Sequence, residues 1–249
     1  MPRLQDMKFV CLDVESTGLD CSQDRILEVA AVRFTLSQIE DEFESLVDPE
    51  REIPLESIKI HNITQDMVTG QPKIDTILPD LLAFIGQDIV VGHGIQFDID
   101  IIVEEAKRVG CACSLDKNTT IDTLRLARLY GQSPANSLGV LRQHFNIADE
   151  GAHRAKSDVL VNIQVFRHLI RGFKRFEDIQ KSLAKPILMK TMPLGKHKGR
   201  PFGEMPIEYL LWAARQKFDN DLLFSLRTEI QRRKKRSSFQ DATNPFHAL

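Results

Sequence analysis

The sequence predicts an α/β domain built on a mixed five-stranded sheet flanked by helices, followed by a small α-rich basic unit. Five runs of strand-like apolar patterning indicate the sheet, at residues 7–13, 26–36, 39–47, 88–92 and 119–121. Three neighbouring strands come first and are followed by alternating helices and strands, an order typical of a layered α/β domain. We therefore expect the N-terminal part of the sheet to be antiparallel and its centre to be parallel.

Helical periodicity fills the segments between and after these strands. Gly110 and Asp122 support two of the boundaries, because glycine commonly ends a helix and aspartate commonly caps the start of one. Two helices, starting at Pro206 and near Asp219, belong to the C-terminal part of the chain. The other predicted helices cover residues 55–60, 74–86, 97–110, 122–130, 137–145, 154–172 and 176–184.

Charge is distributed unevenly along the chain. Residues 1–173 carry 17 Lys and Arg against 27 Asp and Glu, whereas residues 174–249 carry 16 against 8. An acidic body with a basic tail indicates contact with nucleic acid. We predict a first domain over residues 1–173, a connector over 174–191, a basic module over 192–236 and a flexible tail over 237–249.

Composition argues against several classes of protein. Hydrophobic residues make up 42% of the chain, enough for a sizeable core, yet no apolar stretch approaches the ~18–20 residues that a membrane helix needs. Residues 1–6 lack the apolar core of a signal peptide. The four cysteines follow neither a zinc nor a disulfide pattern, so we expect a reduced, cytoplasmic protein with Cys11 as a buried thiol.

An acidic motif follows the first predicted strand. Asp13 and Glu15 come after the apolar run Phe9–Leu12, and residues two apart in a strand project from the same face. Two adjacent carboxylates repel each other, and a divalent cation such as Mg²⁺ or Mn²⁺ relieves that repulsion. Thr17 and Gly18 then supply a turn that a ligand can approach closely. Taken alone, so short a motif also fits an ordinary solvated strand end.

Two later acidic residues complete a larger pattern. Asp98 follows the strand at 88–92 and a glycine-containing turn, and Asp158 lies in the first turns of the helix at 154–172. His153 lies five residues before Asp158, so the two do not share a helical face, and we place His153 in the approach to the helix. The order of these residues resembles the three motifs of the DnaQ-like, or DEDDh, family of 3′-5′ exonucleases.

The resemblance covers residues 7–173 and implies a ribonuclease H-like fold with two bound divalent cations. The family's other branch has Tyr in place of His153. The metal ligands that the resemblance implies are Asp13, Glu15, Asp98 and Asp158, with His153 as the general base. The residues that it implies for binding the terminal nucleotide are Thr17, Gly18, Leu19, Glu56 and His61. The sequence departs from many relatives at Gly94, where they have Asn.

Within the family, the chain resembles the proofreading epsilon subunits of bacterial DNA polymerase III, with a free-standing relative as the alternative. This implies hydrolysis of single-stranded or frayed DNA 3′ ends to 5′-mononucleotides, with the polymerase catalytic subunit as a partner. One alternative is an RNA exonuclease of the RNase T or oligoribonuclease type, which shares the fold. Another is a module that binds nucleic acid or tethers a polymerase without catalysis.

The basic C-terminal segment differs from the flexible peptide that ends epsilon-like proteins. Its Gly-Lys-x-Lys-Gly-x-Pro loop at residues 195–201 resembles a small uncharacterised module. Lys196, Lys198 and Arg200, together with the basic run Arg232–Arg236, either guide a single strand by its phosphates or form a solvated surface. We expect Trp212 to lie in the core of this segment.

Overall fold

A computed structural model describes the backbone of residues 3–148 and 154–242, with side chains as far as residue 235. The chain forms two compact units, Met1–Ser182 and Leu183–Leu249. The division falls inside the predicted connector 174–191, so that segment is shared between the two units. No helix in the described part of the chain combines the length and apolar character needed to cross a membrane.

The first unit is built on a five-stranded mixed sheet, as predicted. Its strands are β1 (Phe9–Ser16), β2 (Ile26–Phe34), β3 (Ile39–Leu46), β4 (Ile89–Gly92) and β5 (Thr120–Asp122). Their order across the sheet is β3-β2-β1-β4-β5. The pairs β1–β2 and β2–β3 are antiparallel, whereas β1–β4 and β4–β5 are parallel. The central strand is therefore β1, which carries the acidic motif.

The helices follow the predicted periodicity, with one short helix that the sequence analysis missed, α2. In the first unit they are α1 (Leu55–His61), α2 (Gln65–Val68), α3 (Ile74–Ile85), α4 (Gln96–Val109), α5 (Thr123–Tyr130), α6 (Leu138–His144), α7 (Ala155–Leu169) and α8 (Phe176–Leu183). In the second unit they are α9 (Ile207–Ala213) and α10 (Asn220–Ala242).

The two faces of β1 contact different parts of the first unit. Val10, Leu12 and Val14 enter an apolar cluster that includes residues of α3 and α4. Phe9 and Cys11 face α7: the Phe9 and Phe166 rings lie 5.3 Å apart, and the Cys11 thiol lies 3.7 Å from the Val159 carbonyl. Since side chains alternate along a strand, Asp13 and Glu15 continue the face that α7 covers.

The second unit has its own small core, formed by Met192, Phe202, Met205, Leu210, Ala213, Leu222, Leu226 and Ile230. The residues before this core are tied to α10, since the Ile187 N–H donates to Asp221 Oδ1 at 3.0 Å and the Met189 N–H to Ser225 Oγ at 2.8 Å. This explains why residues 183–191 belong to the second unit and do not form a free connector.

Two expectations for the second unit are wrong. Trp212 lies on the surface, with 52% of its area exposed, because Leu210 and Ala213 occupy the inward face of α9 and position 212 turns away from them. The predicted flexible tail 237–249 begins with helix, since α10 continues past Arg236 to Ala242. No glycine or proline interrupts α10 before Pro245, which explains the continuation.

Candidate active site

Three of the predicted metal ligands converge at the end of β1. Asp13 and Glu15 are alternate residues of β1, and Asp158 lies in the first turn of α7. Each residue offers one carboxylate oxygen, and these three oxygens lie within 4.8 Å of one another. All three side chains are half-buried. The packing of α7 across β1 therefore creates a group of oxygen donors from residues far apart in the sequence.

Asp98, the fourth predicted ligand, lies beside this group but outside the 4.8 Å set. It sits in the first turn of α4 and is buried, with 6% of its area exposed. Its Oδ1 accepts a hydrogen bond of 3.0 Å from the Val14 N–H, which fixes the carboxylate against the backbone between Asp13 and Glu15.

Three carboxyl groups of the site, those of Asp13, Glu15 and Asp98, have pKa values above the ordinary range. Burial, followed by the charges of Asp98, Glu15 and Asp158, raises the pKa of Asp13 well above its ordinary value. Burial and the neighbouring Asp158 raise the pKa of Glu15 to about 7, and burial raises that of Asp98 to about 8. Closely spaced oxygen donors with uncompensated charge fit hard divalent cations such as Mg²⁺ or Mn²⁺.

This electrostatic strain predicts an unusual dependence of stability on pH in the metal-free protein. Between about pH 4.3, where Glu ionises in unfolded chains, and the folded-state value of about 7 for Glu15, the folded protein binds more protons. The free energy of unfolding therefore falls as the pH rises from about 5 to 8. We expect the melting temperature in EDTA to drop by something on the order of 5 °C over this range.

The comparison that isolates this effect uses the Glu15→Gln variant, whose melting temperature should depend less on pH. Mn²⁺ should raise the melting temperature of the native chain more at pH 8 than at pH 5, because protons compete with the cation. If the melting temperatures of the native chain and the variant changed with pH in the same way, the pKa of Glu15 would not be raised in the folded protein.

An ion pair between a buried carboxylate and a partly exposed arginine, which the sequence analysis missed, holds the start of α7. Glu28, opposite Glu15 in the β1–β2 register, is 1% exposed and accepts hydrogen bonds from both Nε and Nη2 of Arg154. It also accepts a 3.0 Å bond from the Ala155 N–H, so it caps the helix that presents Asp158. The signal in the sequence was an acidic residue inside the otherwise apolar start of β2, Ile26–Val32.

Replacing Glu28 by Gln is expected to lower the free energy of unfolding by about 1–3 kcal/mol, since the charged hydrogen bonds to Arg154 are weakened in a buried site. Urea titration followed by circular dichroism measures the change. The matched control is Glu44→Gln, which removes an exposed ion pair with Lys156 on the same helix. Exposed pairs contribute about 0–1 kcal/mol, so equal losses in the two variants would contradict a special role for Glu28.

Among the predicted substrate-binding residues, Thr17, Gly18 and Leu19 form the turn after β1. The Thr17 hydroxyl donates to Asp24 Oδ1 at 2.8 Å and accepts from the Arg25 N–H at 3.0 Å, so it stabilises the turn itself. A Cβ at Gly18 would lie 2.5 Å from an Asp24 carboxylate oxygen, which explains the glycine. Leu19 is 88% exposed and offers an apolar surface next to the motif.

Helix α1 carries the other two predicted substrate-binding residues. The Ser57 hydroxyl donates to the Thr17 carbonyl at 2.7 Å, which joins α1 to the turn. Glu56 is exposed. His61 is buried, and burial lowers its pKa, so the ring is neutral near pH 7. Its Nδ1 accepts from the Ile63 N–H at 3.0 Å, which places the proton on Nε2. The Ser16 backbone accepts a hydrogen bond from the ring that partly opposes this lowering of the pKa, although its geometry is too poor for Nε2 to count as fully satisfied.

His153, the predicted general base, lies outside the described residues, as do its neighbours 149–152. Its role therefore stays a prediction from the sequence. The next residue along the chain, Arg154, is described and is held by Glu28.

A buried polar network lies behind the carboxylates. The Asn162 amide donates to Cys11 Sγ at 3.5 Å and accepts from the Thr123 hydroxyl at 2.7 Å. The His93 ring bonds to Thr123 Oγ1 at 3.0 Å and to the Asn136 carbonyl at 2.8 Å. Burial lowers the pKa of His93 to about 4, so this histidine is neutral and structural. As expected, Cys11 is a buried thiol.

Gly94 has a positive φ of 79°, and its N–H donates to Asp122 Oδ1 at 2.9 Å. Asparagine, which many relatives have there, is among the few other residues that tolerate such a conformation. The departure from the family pattern at this position is therefore compatible with the same backbone.

Comparison with known proteins identifies the family. Residues 10–166 match the family model described as "Exonuclease". The chain belongs to this exonuclease family. Residues 180–228 match a second model, described as "Putative quorum-sensing-regulated virulence factor", which covers the second half of α8 and a large part of the second unit.

Relatives of the exonuclease domain include parts of bacterial DNA polymerases. The DNA polymerase III subunit epsilon of Aquifex aeolicus is 35% identical over 164 residues, covering 66% of this chain and 80% of that protein. The DNA polymerase III PolC-type of Listeria innocua is 36% identical over 178 residues, covering 71% of this chain. This chain spans only 12% of the length of that PolC-type relative.

Solved structures share the fold. Exonuclease X, determined in complex with 5′ overhanging duplex DNA, has 24% identity and a TM-score of 0.54, covering 69% of this chain and 98% of that one. E. coli Exonuclease I, determined with a dA16 oligonucleotide, has 17% identity and a TM-score of 0.61, covering 72% of this chain and 43% of that one. The ribonuclease H-like fold predicted from the sequence is confirmed by these similarities.

Proposed function

We propose that this protein is a cytoplasmic, metal-dependent 3′-5′ exonuclease that releases 5′-mononucleotides from single-stranded or frayed DNA ends. The observation that supports this most directly is the convergence of Asp13, Glu15 and Asp158 at the end of β1, with Asp98 beside them. The names of the relatives favour a proofreading role beside a DNA polymerase III catalytic subunit.

The four carboxylates would hold two divalent cations, either Mg²⁺ or Mn²⁺. When bound, such ions neutralise charge on the scissile phosphate and favour ionisation of the attacking water. The carboxylates orient the reacting groups by fixing the ions to β1, α4 and α7. His153 accepts the proton from the attacking water, since imidazole titrates near neutral pH.

The turn after β1 and helix α1 would position the terminal nucleotide. Gly18 lacks a side chain, and exposed Leu19 offers an apolar contact for a base. The His61 Nε2–H is a hydrogen-bond donor next to the turn after β1, and Glu56 is exposed on the same helix. These contacts would select the nucleotide at the end of the strand and direct its phosphate toward the carboxylates.

The test uses a 20-nucleotide DNA strand labelled at its 5′ end and an RNA strand of the same sequence, each incubated with Mn²⁺ or with EDTA. We expect the DNA to be shortened stepwise from its 3′ end in the presence of Mn²⁺ and to stay intact in EDTA. A 3′-labelled strand should release labelled mononucleotide first. Faster digestion of the RNA would replace this proposal with an RNA exonuclease, and absence of cleavage on both strands would favour a binding or tethering module.

A polymerase partner is tested separately by gel filtration with the DNA polymerase III catalytic subunit of the source organism. Co-elution would support a proofreading complex. Separate elution of two active proteins would favour a free-standing exonuclease.

A further inference from the structure

Three aromatic side chains form a row on the surface of the second unit. The His197 and Tyr209 rings lie 4.4 Å apart, and the Tyr209 and Trp212 rings lie 5.2 Å apart. Tyr209 and Trp212 are three residues apart on α9, so they lie on neighbouring positions of one helical face. We call His197, Tyr209 and Trp212 the aromatic row.

The aromatic row is displayed at the surface, outside the core of its unit. Trp212 is 52% exposed, and Tyr209 and His197 are each partly exposed. The core of the unit is filled by other apolar side chains, among them Leu210 and Ala213 from the same helix. Trp212 offers the most exposed ring of the row, because Tyr209 packs against the core and has Lys196 over its ring.

Cations surround the aromatic row. The Lys196 ammonium lies 5.5 Å from the centre of the Tyr209 ring, and exposed Lys198 and Arg200 follow in the same loop. Within the described residues, no carboxylate pairs with any of these three. Burial and the charges of Lys196 and Arg200 lower the pKa of His197, so that ring is neutral near pH 7.

Other basic residues of the unit are already engaged. Arg232 and Arg233 bond to Glu229 at 2.7 and 2.8 Å, and Arg233 also donates to the carbonyls of Phe202 and Gly203. These arginines join α10 to the loop at 202–203 and stabilise the unit. Lys196, Lys198 and Arg200 have no such ion pair within the described residues.

We propose that the aromatic row binds single-stranded nucleic acid, with an unpaired base stacked on Trp212 beside Tyr209 and phosphates contacting Lys196, Lys198 and Arg200. Base stacking on an aromatic side chain contributes about 1–3 kcal/mol per base and tolerates any sequence. An acidic protein surface would match the cations but would leave the ring faces without a planar partner. Positive charge predominates across residues 183–249, with 13 Lys and Arg against 6 Asp and Glu, which favours a polyanion.

The chain contains a single tryptophan, so its fluorescence reports directly on this surface. The full-length protein in EDTA, where cleavage does not interfere, is titrated with a 20-nucleotide oligothymidylate. We expect quenching of Trp212 emission, because stacked bases quench indole. A duplex of the same length, whose bases are already stacked, should quench far less. Equal quenching by polyglutamate would overturn base stacking and favour an acidic protein partner.

Variants measure the contribution to affinity through the anisotropy of a labelled strand. Trp212→Ala should raise Kd by about 5- to 150-fold, whereas Trp212→Phe should retain most of the affinity. Leu211→Ala, which removes another exposed apolar side chain of α9, is the matched control and should have no effect. Joint replacement of Lys196, Lys198 and Arg200 by Ala should reduce the log–log salt slope by about 2.

The proposal would be overturned if Trp212→Ala bound the strand with a native-like Kd and the strand left the Trp212 emission of the native protein unquenched. Circular dichroism establishes that each variant is folded. Because Trp212 quenching is measured without metal and by a probe in the second unit, that result is independent of whether the first unit cleaves DNA or RNA.

Discussion

The Asp13→Asn variant is expected to lose at least about three orders of magnitude in the rate of nucleotide release while melting at a higher temperature than the native chain in EDTA. The loss follows because Asp13 lies between Asp98, Glu15 and Asp158, and removing its charge weakens the hold on both cations. Several kcal/mol of transition-state stabilisation correspond to about this factor. The gain in stability follows because one member of a repelling, desolvated group becomes neutral.

Single-turnover cleavage of the DNA strand measures the loss of rate, and scanning calorimetry in EDTA measures the melting temperature. Asp158→Asn should behave in the same way, since its carboxylate belongs to the same 4.8 Å group. The matched control is Asp100→Asn, an exposed carboxylate on α4 whose only hydrogen-bond donor among the described residues is Gln96. An Asp158→Asn variant with native cleavage would show that the start of α7 is not part of the metal site.

The parts of the fold that could be predicted are those that local pattern determines. The apolar run before Asp13, the glycine after α4 and the aspartate before α5 each encode a boundary within a few residues. Local sequence pattern does not determine the distance between Asp13 and Asp158. Their proximity is predictable only through the family motif. Physical periodicity placed Asp158 near the start of a helix but gave no information on which strand that helix would cover.

The parts that could not be predicted depend on contacts between distant segments. Glu28 and Arg154 are 126 positions apart, and no periodic pattern links them. Likewise, the basic run starting at Arg232 suggested a phosphate-binding surface, but Glu229 engages its first two members. Trp212 was assigned to the core because large aromatic residues are usually buried, whereas Leu210 and Ala213 already fill the inward face of α9.

His153→Ala is expected to lower turnover by about 10²- to 10⁴-fold, the usual effect of removing a general base. Binding of Mn²⁺ and of single-stranded DNA should be retained, because the predicted ligands are the four carboxylates. The start of α7 should also be retained, since Glu28 holds Arg154 and the Ala155 N–H independently of position 153. The melting temperature of the variant should therefore match that of the native chain.

The pH profile separates a proton acceptor from a residue that only supports the fold. In the native protein the rate should rise through a pKa near neutrality, as expected for imidazole, and this rise should be absent in His153→Ala. His144→Ala, which removes an exposed histidine of α6, is the matched control and should keep both the rate and the profile. If His153→Ala lost Mn²⁺ binding instead, His153 would be a metal ligand, and the proton would have to pass to another group.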